Sequence, residues 1–416
     1  MTVPGETQSS AGWGSGSGLR LRRQDRVAHE LDRAGADGWL IYDFRGSNPA
    51  FGRLLGSALP QSTRRAFLFL PRRGAARLLI HHVDAGNFAR LGLEVQRYGS
   101  RDDMLAGLRT LVGDARQVLM EYSPGNAIPY VSRVDGGTLE LVRSLGIETL
   151  SSADALAGVV AAWDAADLAS HERAAAALER AKDAVLSAMR ERLRRGERWT
   201  EVDAQHHLAG IMATDGLEYD HPPIVAVNAH AGDPHYAPDP SVALPIAPGD
   251  LVLIDLWARE VERPDGEQGA YADITWMATA AETPPTEQVR VWEIVREARD
   301  SAVRLVAQRL ETGSPVQGAD VDRAARRVIA DAGYGDAFTH RTGHSLGWQG
   351  AHGDGVNIDD FETRDTRLLR PGAAFSIEPG VYLPTFGVRS EINLAITSDG
   401  ALRVTTPPQR ELVRLT

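Results

Sequence analysis

Hydrophobic positions along the first part of the chain follow two different periods, which predict strands and helices. Runs dominated by apolar residues, such as DGWLIYD at 37–43 and RAFLFLP at 65–71, are typical of strands. Segments such as RVAHELDRAG at 26–35 and DDMLAGLRTLVGD at 102–114 repeat their apolar residues every three or four positions, as helices do. Strands interleaved with helices indicate a small α/β domain over residues 20–162.

A long helix is predicted where the second part of the chain begins. Residues 163–195 are rich in Ala, Leu, Glu and Arg and contain neither Pro nor Gly. In the next segment, Thr200 and Asp203 are spaced to cap a second helix, and Gly216 is suited to end it. We therefore expect a second domain over residues 163–416.

Strand-like runs dominate the chain after residue 220, and their order hints at a duplicated α/β half. A helical segment precedes strands that carry two Asp residues, and later helices precede strands that carry two Glu residues. The clearest of these strand runs are PPIVAVNAH, DLVLIDLWA, AYADITWMA, AAFSIEPGVYL and VRSEINLAIT.

Composition narrows the possible partners and chemistry. The chain of 416 residues is 43% hydrophobic and carries a net charge of −11, which suits a globular protein and argues against nucleic acid as a partner. It contains no Cys, so disulfides, thiolate ligands and a cysteine nucleophile are excluded. No apolar run approaches the roughly 18 residues of a membrane span, and the Gly/Ser-rich start lacks the apolar core of a signal peptide. We expect a mobile tail over residues 1–19, no membrane partner and a cytoplasmic location.

Acidic residues inside apolar runs are the main chemical signal. A buried ionised carboxylate is costly unless it is paired or binds a metal. Four carboxylates and the imidazole in HRTGHSLG form a hard ligand set that suits Mn²⁺ first, with Zn²⁺ or Co²⁺ as alternatives. Each residue alone also fits an ordinary strand, turn or structural role, and only their combination predicts a site for two divalent ions. The five residues are Asp255, Asp273, His344, Glu378 and Glu391.

These residues carry a family resemblance. The motifs HYAP, GDLVLIDLWA, AYADIT, HRTGHSLG, SIEPGVY and GVRSEI resemble those of the pita-bread metallopeptidases, which include prolidase, Xaa-Pro aminopeptidase, methionine aminopeptidase and the non-peptidase creatinase. The resemblance implies an α+β fold. Its C-terminal pita-bread domain, a duplicated α/β unit with a curved and mostly antiparallel sheet, follows a smaller α/β domain like that of creatinase. It also implies that the five residues bind two metals, with Asp273 and Glu391 bridging them.

The resemblance implies further roles around the metals. His235 in DPHYAP matches a histidine near the scissile bond, with His230 as a nearby competitor, and His352 in GAHGDG matches one that contacts the substrate carbonyl. Glu378 would also pass a proton to the leaving amine. Arg389 would orient the Glu ligand two positions later by a charged hydrogen bond.

The resemblance leaves several activities open. The long N-terminal domain disfavours methionine aminopeptidase, and the complete ligand set disfavours creatinase. Arg364 resembles a prolidase arginine that binds the carboxylate of a dipeptide, while a solvated loop charge is the alternative interpretation. We expect hydrolysis of Xaa-Pro dipeptides, a small proline-containing peptide as substrate, and the homodimer common in this branch. A Xaa-Pro aminopeptidase, another amidohydrolase or a binding module on the same fold are the alternatives.

The segment between the two Asp residues departs from the family pattern. The family joins them by a short hairpin, whereas residues 258–270 form an extended, polar and turn-rich loop. Trp257 and Trp276 stand where the family often has a small residue and an arginine. We expect the loop either to shape the substrate pocket or only to cross the surface.

Overall fold

The computed structural model describes residues 24–55 and 62–416. It divides between Val160 and Ala161 into two compact units. The predicted tail over residues 1–19 lies outside the described residues. Within the described part of the chain, no helix combines the length and hydrophobicity needed to cross a bilayer.

A mixed sheet forms the centre of the first unit. Within residues 24–55 and 62–160, the strands are β1 (Gly38–Phe44), β2 (Arg65–Pro71), β3 (Arg77–His81), β4 (Glu94–Tyr98), β5 (Gln117–Met120) and β6 (Glu148–Ser151). Their order across the sheet is β4-β3-β2-β1-β5-β6. Pairs β1–β2 and β2–β3 are antiparallel, whereas β3–β4, β1–β5 and β5–β6 are parallel.

Both faces of this sheet are covered, as the apolar strand runs predict. Successive β1 residues alternate between two hydrophobic clusters: Trp39 and Ile41 belong to one, and Leu40 and Tyr42 to the other. The helices in this part of the described chain are α1 (Gln24–Ala34), α2 (Pro49–Leu55), α3 (Ala85–Phe88), α4 (Arg101–Val112), α5 (Gly136–Ser144) and α6 (Ala153–Ala155). Short 3₁₀ or π turns follow at Ala89–Leu91, Pro124–Asn126, Pro129–Val131 and Leu156–Val160.

The predicted long helix opens the second unit. It is α7 (Ala165–Arg195), capped by the Asp164 side chain at its start and by Gly196 in a left-handed conformation at its end. The Thr200–Asp203 capping box predicted from the sequence begins the next helix. The other helices of the unit are α8 (Glu201–Thr214), α9 (Thr286–Glu311) and α10 (Gly318–Asp331), with 3₁₀ turns at Asn228–Gly232 and Gly335–Ala337.

Mostly antiparallel sheets complete the second unit. The strands are β7 (Leu217–Glu218), β8 (Ile224–Val227), β9 (Leu251–Glu260), β10 (Ala272–Thr279), β11 (Ala374–Ile377), β12 (Gly380–Tyr382), β13 (Gly387–Arg389), β14 (Ile392–Ile396), β15 (Leu402–Val404) and β16 (Val413–Arg414). One sheet has the order β16-β10-β9-β7, with β8 also paired to β9. Strands β11-β14-β15 form a second sheet and β12-β13 a hairpin. The helices packed on these sheets give the predicted α+β fold.

The two Glu-bearing runs are not continuous strands, which corrects the prediction. Glu378 lies with Pro379 in a break between β11 and β12, and Glu391 lies in a break between β13 and β14. Proline has no N–H group to donate to a strand ladder, so pairing stops at Pro379. Because both breaks occur at the acidic residues, the backbone there leaves the sheet geometry.

Candidate metal centre

Strands β9 and β10 present two acidic residues on one face of their sheet. Asp255 lies opposite Thr275 and Asp273 lies opposite Trp257 in the antiparallel register. Alternate residues of a strand share a face, so these four side chains project to the same side. The other face is apolar and packs against α7. The acids are therefore placed together on the face away from that helix.

Three residues lie close enough to bind one ion. One possible ligand atom from each of Asp273, His344 and Glu391 lies within 4.8 Å of the others, and all three residues are buried. His344 Nε2 is 3.5 Å from Asp273 Oδ2 and 3.4 Å from Glu378 Oε1. Its Nδ1 lies 3.0 Å from the Ser345 carbonyl oxygen, which can only accept, so Nδ1 carries hydrogen. This orientation directs Nε2 at the carboxylates.

Thr275 and Arg389 connect Asp255 with the cluster. Thr275 Oγ1 is 3.0 Å from Asp255 Oδ1 and 2.9 Å from Glu391 Oε2. Arg389 donates from Nη2 to Asp255 Oδ2 at 2.5 Å and from Nε to Thr275 Oγ1 at 3.0 Å. The prediction that Arg389 orients Glu391 is corrected, because the guanidinium binds Asp255 and Thr275 intervenes before Glu391. Sequence analysis missed Thr275, although its place two residues after Asp273 puts it on the same strand face.

Glu378 joins the cluster through Ser376. Ser376 Oγ donates to Glu378 Oε1 at 3.0 Å and accepts from the His344 backbone N–H at 2.9 Å. The Glu378 N–H donates to the Thr342 carbonyl at 2.7 Å, which fixes the backbone at the strand break. All five residues predicted as ligands are therefore brought together.

Burial and mutual repulsion make the ionised carboxylates of this cluster energetically unfavourable. Burial, and then the neighbouring carboxylates, raise the pKa of Glu391 well above its ordinary value. Burial raises the pKa of Asp273 to about 7 and also raises the pKa of Asp255. For Glu378, burial acts upward, but the cationic groups around it, His344 foremost, hold the pKa below its ordinary value. Crowded carboxylates without added positive charge favour protonation.

Two buried carboxylate oxygens of the cluster indicate whether its residues suit a cation. Among the described residues, nothing donates a hydrogen bond to Asp273 Oδ1 or Glu391 Oε1. An unpartnered buried carboxylate oxygen is unfavourable unless a positive charge binds it. Carboxylate and imidazole donors with two open oxygens therefore fit divalent metal ions.

His352 lies beside the cluster. Its ring centroid is 4.1 Å from that of His344. An antiparallel β-bridge between Leu346 and His352 brings the two segments of backbone together. Arg341 Nη2 lies 3.5 Å from His352 Nδ1. The charge on protonated His344 lowers the pKa of His352, which favours a neutral ring.

The two histidines that compete in the 228–244 loop have different surroundings. The His230 Nδ1 donates to Glu201 Oε2 at 2.9 Å, and its ring stacks on Tyr236 at 4.3 Å. Glu201 is fully buried and also accepts from the Tyr236 hydroxyl at 2.7 Å and from the Leu244 N–H at 2.8 Å. His230 therefore belongs to the anchor of the loop, while His235 is exposed. Sequence analysis missed Glu201, which lay inside an ordinary helix-capping segment.

Arg364 has no described contact with the cluster. Its side chain is 73% exposed, and its Nε is 3.2 Å from Asp360 Oδ1. The neighbouring Arg367 is not a solvated loop charge, because it is buried and donates to Asp365 and to the Gly355 carbonyl.

The two unusual tryptophans lie on opposite faces of the sheet. Trp276 faces α7, where Lys182 Nζ lies 3.5 Å from its ring centroid. Trp257 shares the face of the acidic residues, and its Nε1 donates to Asp220 Oδ1 at 2.6 Å. Only Trp257 is therefore placed to influence the site.

The extended loop between β9 and β10 is anchored to the interior. Arg263 Nη1 donates to Asp167 Oδ1 at 2.7 Å, and both residues are buried. Trp348, four positions after His344, donates from Nε1 to the same Asp167 oxygen at 2.9 Å. The loop is thus connected to the segment that carries the cluster histidine and does more than cross the surface.

Comparison with known proteins defines the class. Residues 169–398 match the model of metallopeptidase family M24, which covers more than half of the chain. This match identifies the class of the chain as a metallopeptidase. The chain belongs to metallopeptidase family M24.

Curated relatives agree with this class, and solved structures share the fold. The chain is 33% identical to the Xaa-Pro dipeptidase of Lactobacillus helveticus over 182 residues, which is 42% of each protein. It is 26% identical to the probable dipeptidase PepE of Mycobacterium tuberculosis over 86% of this chain and 88% of the relative. Dipeptidase PepE from Mycobacterium ulcerans has a TM-score of 0.67 at 24% identity, covering 94% of this chain and 96% of that one. The prolidase from Pyrococcus horikoshii has a TM-score of 0.60 at 23% identity, covering 94% and 99%.

Proposed function

We propose that this chain hydrolyses Xaa-Pro dipeptides with two divalent metal ions. The observation that carries the proposal is the buried cluster with two carboxylate oxygens that lack hydrogen-bond partners, on the fold of a metallopeptidase family. Asp255, Asp273, His344, Glu378 and Glu391 would hold the two ions. When bound, the ions supply Lewis acidity and lower the pKa of water.

Glu378 is the proposed proton carrier. It accepts the proton that the attacking water loses and gives it to the proline nitrogen when the peptide bond breaks. Its position suits this transfer, because Ser376 fixes Oε1 and the surrounding cations favour the ionised form. Arg389 holds Asp255 in place by a charged hydrogen bond.

His352 and His235 are the proposed substrate-contacting residues. A neutral His352 beside His344 can donate a hydrogen bond to the oxygen of the scissile carbonyl, on which negative charge develops. His235 is exposed on the neighbouring loop, whereas His230 is held by Glu201. This difference supports His235 as the histidine that contacts the substrate.

Relatives support a dipeptide substrate, and one structural observation favours a second candidate activity. The Xaa-Pro dipeptidase of Pyrococcus horikoshii is 33% identical over 243 residues, or 57% of this chain and 61% of the relative. Arg364, the proposed binder of the dipeptide carboxylate, pairs with Asp360 and is largely exposed. A site without such a carboxylate contact would also accept longer chains, so Xaa-Pro aminopeptidase activity is the second candidate.

Peptides of two lengths test the proposal. After chelation, the protein should not cleave Ala-Pro or Met-Pro. Added Mn²⁺ should restore cleavage of both dipeptides, and the metal-loaded protein should not cleave Ala-Pro-Ala. Cleavage of the tripeptide as well would assign aminopeptidase activity, and no cleavage of any peptide by metal-loaded protein would refute both.

A matched pair of variants assigns the activity to the cluster. Asp273→Asn should lower kcat/KM by at least about 100-fold, because it removes a ligand. Asp331→Asn, at an exposed helix end, should not change kcat/KM.

The manganese preference, the homodimer and the cytoplasmic location stay predictions. Reconstitution with Mn²⁺, Zn²⁺ and Co²⁺ in parallel tests the first. Sedimentation tests the second, and a species of single-chain mass at all concentrations would contradict it.

A further inference from the structure

Trp257 lies beside the candidate metal centre, on the face of the sheet away from α7. It is the cross-strand partner of Asp273 and shares the face of Asp255. Side chains directly opposite on one face of an antiparallel pair have Cβ atoms about 5 Å apart. Trp257 is only partly buried, unlike both acids. Trp257 is therefore close to a substrate that binds at the cluster.

Asp220 holds the indole and retains a free acceptor. Its Oδ1 accepts from Trp257 Nε1 at 2.6 Å and from the His221 backbone N–H at 3.0 Å. Within the described part of the chain, no hydrogen bond to Oδ2 is present, and the side chain is 36% exposed. A Cβ added to Gly350 would lie 2.9 Å from Oδ2, so the loop between His344 and His352 passes close to this oxygen. The carboxylate thus lies between Trp257 and that loop.

The charges around Trp257 leave Asp220 as the carboxylate available to a ligand. Glu218, also at the end of this face, pairs with Arg259, whose guanidinium lies 5.8 Å from the Tyr271 ring centroid. His221 lies next to Asp220, with its Nδ1 3.7 Å from Asp220 Oδ1 and its side chain 79% exposed. Solvent around this largely exposed side chain screens its interaction with the carboxylate.

We propose that Trp257 and Asp220 form the subsite for the side chain of the residue that precedes proline, and that this subsite favours Lys or Arg. The inference rests on the proposed function. The amino terminus of a dipeptide is attracted to the cluster carboxylates, which places the first residue near Asp273 and hence near Trp257. The proline carboxylate is repelled by Asp220, so this wall does not suit the other end of the substrate.

The chemistry of a long basic side chain matches this wall. Its methylene stem packs on the indole while its charged group reaches the water-exposed carboxylate. A charge-assisted hydrogen bond to Oδ2 then distinguishes the charged group from a neutral one. Neutral side chains of the same length gain only the packing.

Lys-Pro and norleucine-Pro separate charge from length, because their side chains have the same carbon chain. We expect kcat/KM for Lys-Pro to exceed that for norleucine-Pro by about tenfold at low ionic strength. Asp220→Asn should reduce this ratio to about one. Trp257→Phe, which keeps an aromatic ring but cannot donate to Asp220, should reduce it partly. Because the readout is a ratio for each variant, a general loss of activity cancels.

Controls distinguish failure of this inference from failure of the proposed function. Asp215→Asn removes the same charge from a surface pair with Arg180 and should keep the ratio of the unmodified protein. A ratio near one in the unmodified protein, with Ala-Pro cleaved normally, would overturn the subsite and leave the peptidase proposal intact. If no Xaa-Pro peptide is cleaved, both are refuted. Competitive inhibition by free lysine and norleucine gives a second readout, in which lysine should bind more tightly to the unmodified protein but not to Asp220→Asn.

Discussion

One hydroxyl group connects the two sides of the carboxylate cluster. Thr275 Oγ1 lies within hydrogen-bond distance of Asp255 and Glu391 and accepts from Arg389 Nε. A hydroxyl has one hydrogen, so it can donate to only one of the two carboxylates. Thr275 therefore lies between the two acids and holds whichever of them accepts its hydrogen.

Replacing Thr275 by Val keeps the shape of the side chain and removes these hydrogen bonds. We expect Thr275→Val to lower metal affinity by about 10- to 100-fold, since groups that orient ligands have effects of that size. Titration calorimetry with Mn²⁺ measures the change. The matched control Thr214→Val, on the exposed surface of α8, should bind Mn²⁺ as the unmodified protein does. An unchanged affinity in Thr275→Val would show that the hydroxyl does not position the acids.

At the scale of elements, the long loop between β9 and β10 has a buried anchor. Arg263 enters the interior and pairs with Asp167 near the start of α7, and Trp348 shares the same carboxylate. Removing one partner of a buried ion pair leaves the other charge without compensation. The loop is thus stabilised at one point, although its composition is polar.

Arg263→Met should lower the free energy of unfolding by about 3 kcal/mol, because the buried Asp167 carboxylate loses its ion pair with the Arg263 guanidinium. Urea denaturation followed by circular dichroism measures this loss. Arg403→Met breaks an exposed pair with Glu172 and should cost less than about 1 kcal/mol. Adding Asp167→Asn to Arg263→Met should recover part of the loss. Equal effects of the two single Arg variants would contradict a buried anchor.

For the molecule as a whole, a buried acid in the first unit links stability to pH. Glu121 accepts from Trp39 Nε1 at 2.5 Å, from Asn48 Nδ2 at 2.8 Å and from Ser152 Oγ at 3.3 Å. Burial outweighs these hydrogen bonds and raises the pKa of Glu121 from 4.5 to about 7. The folded state therefore holds this proton more tightly than the unfolded state does.

The stabilising contribution of Glu121 is complete below its unfolded pKa and is lost as pH rises. A raised acid pKa favours the folded state at low pH, so stability should fall by about 3 kcal/mol between about pH 4.5 and pH 7. Glu121→Gln does not titrate, and its unfolding free energy should lack this decrease. The surface variant Glu148→Gln should keep the decrease. Urea titrations across this range measure the difference, and parallel curves for Glu121→Gln and the unmodified protein would refute it.

The sequence by itself determined much of the local structure and the composition of the centre. Helix α7 follows from an Ala-rich run without Gly or Pro, and the cap of α8 follows from Thr200 and Asp203, because both depend on neighbours within a few residues. The family and the α+β fold were also predicted, since their motifs are contiguous in the chain. Strand alternation alone predicts that Trp257 shares the face of the two acids and that Trp276 lies on the opposite face.

Tertiary structure alone decided which distant groups meet. Thr275 and Glu201 look ordinary in the sequence, because their importance comes from partners far along the chain. Arg389 was predicted to bind Glu391 because the two residues are close in sequence. In the structure its guanidinium binds Asp255. The pairing of Trp257 with Asp273 depends on strand register, which an extended loop between the strands does not fix. Local rules thus defined the elements and candidate ligands, and only cross-strand register and loop anchoring determined which side chains surround them.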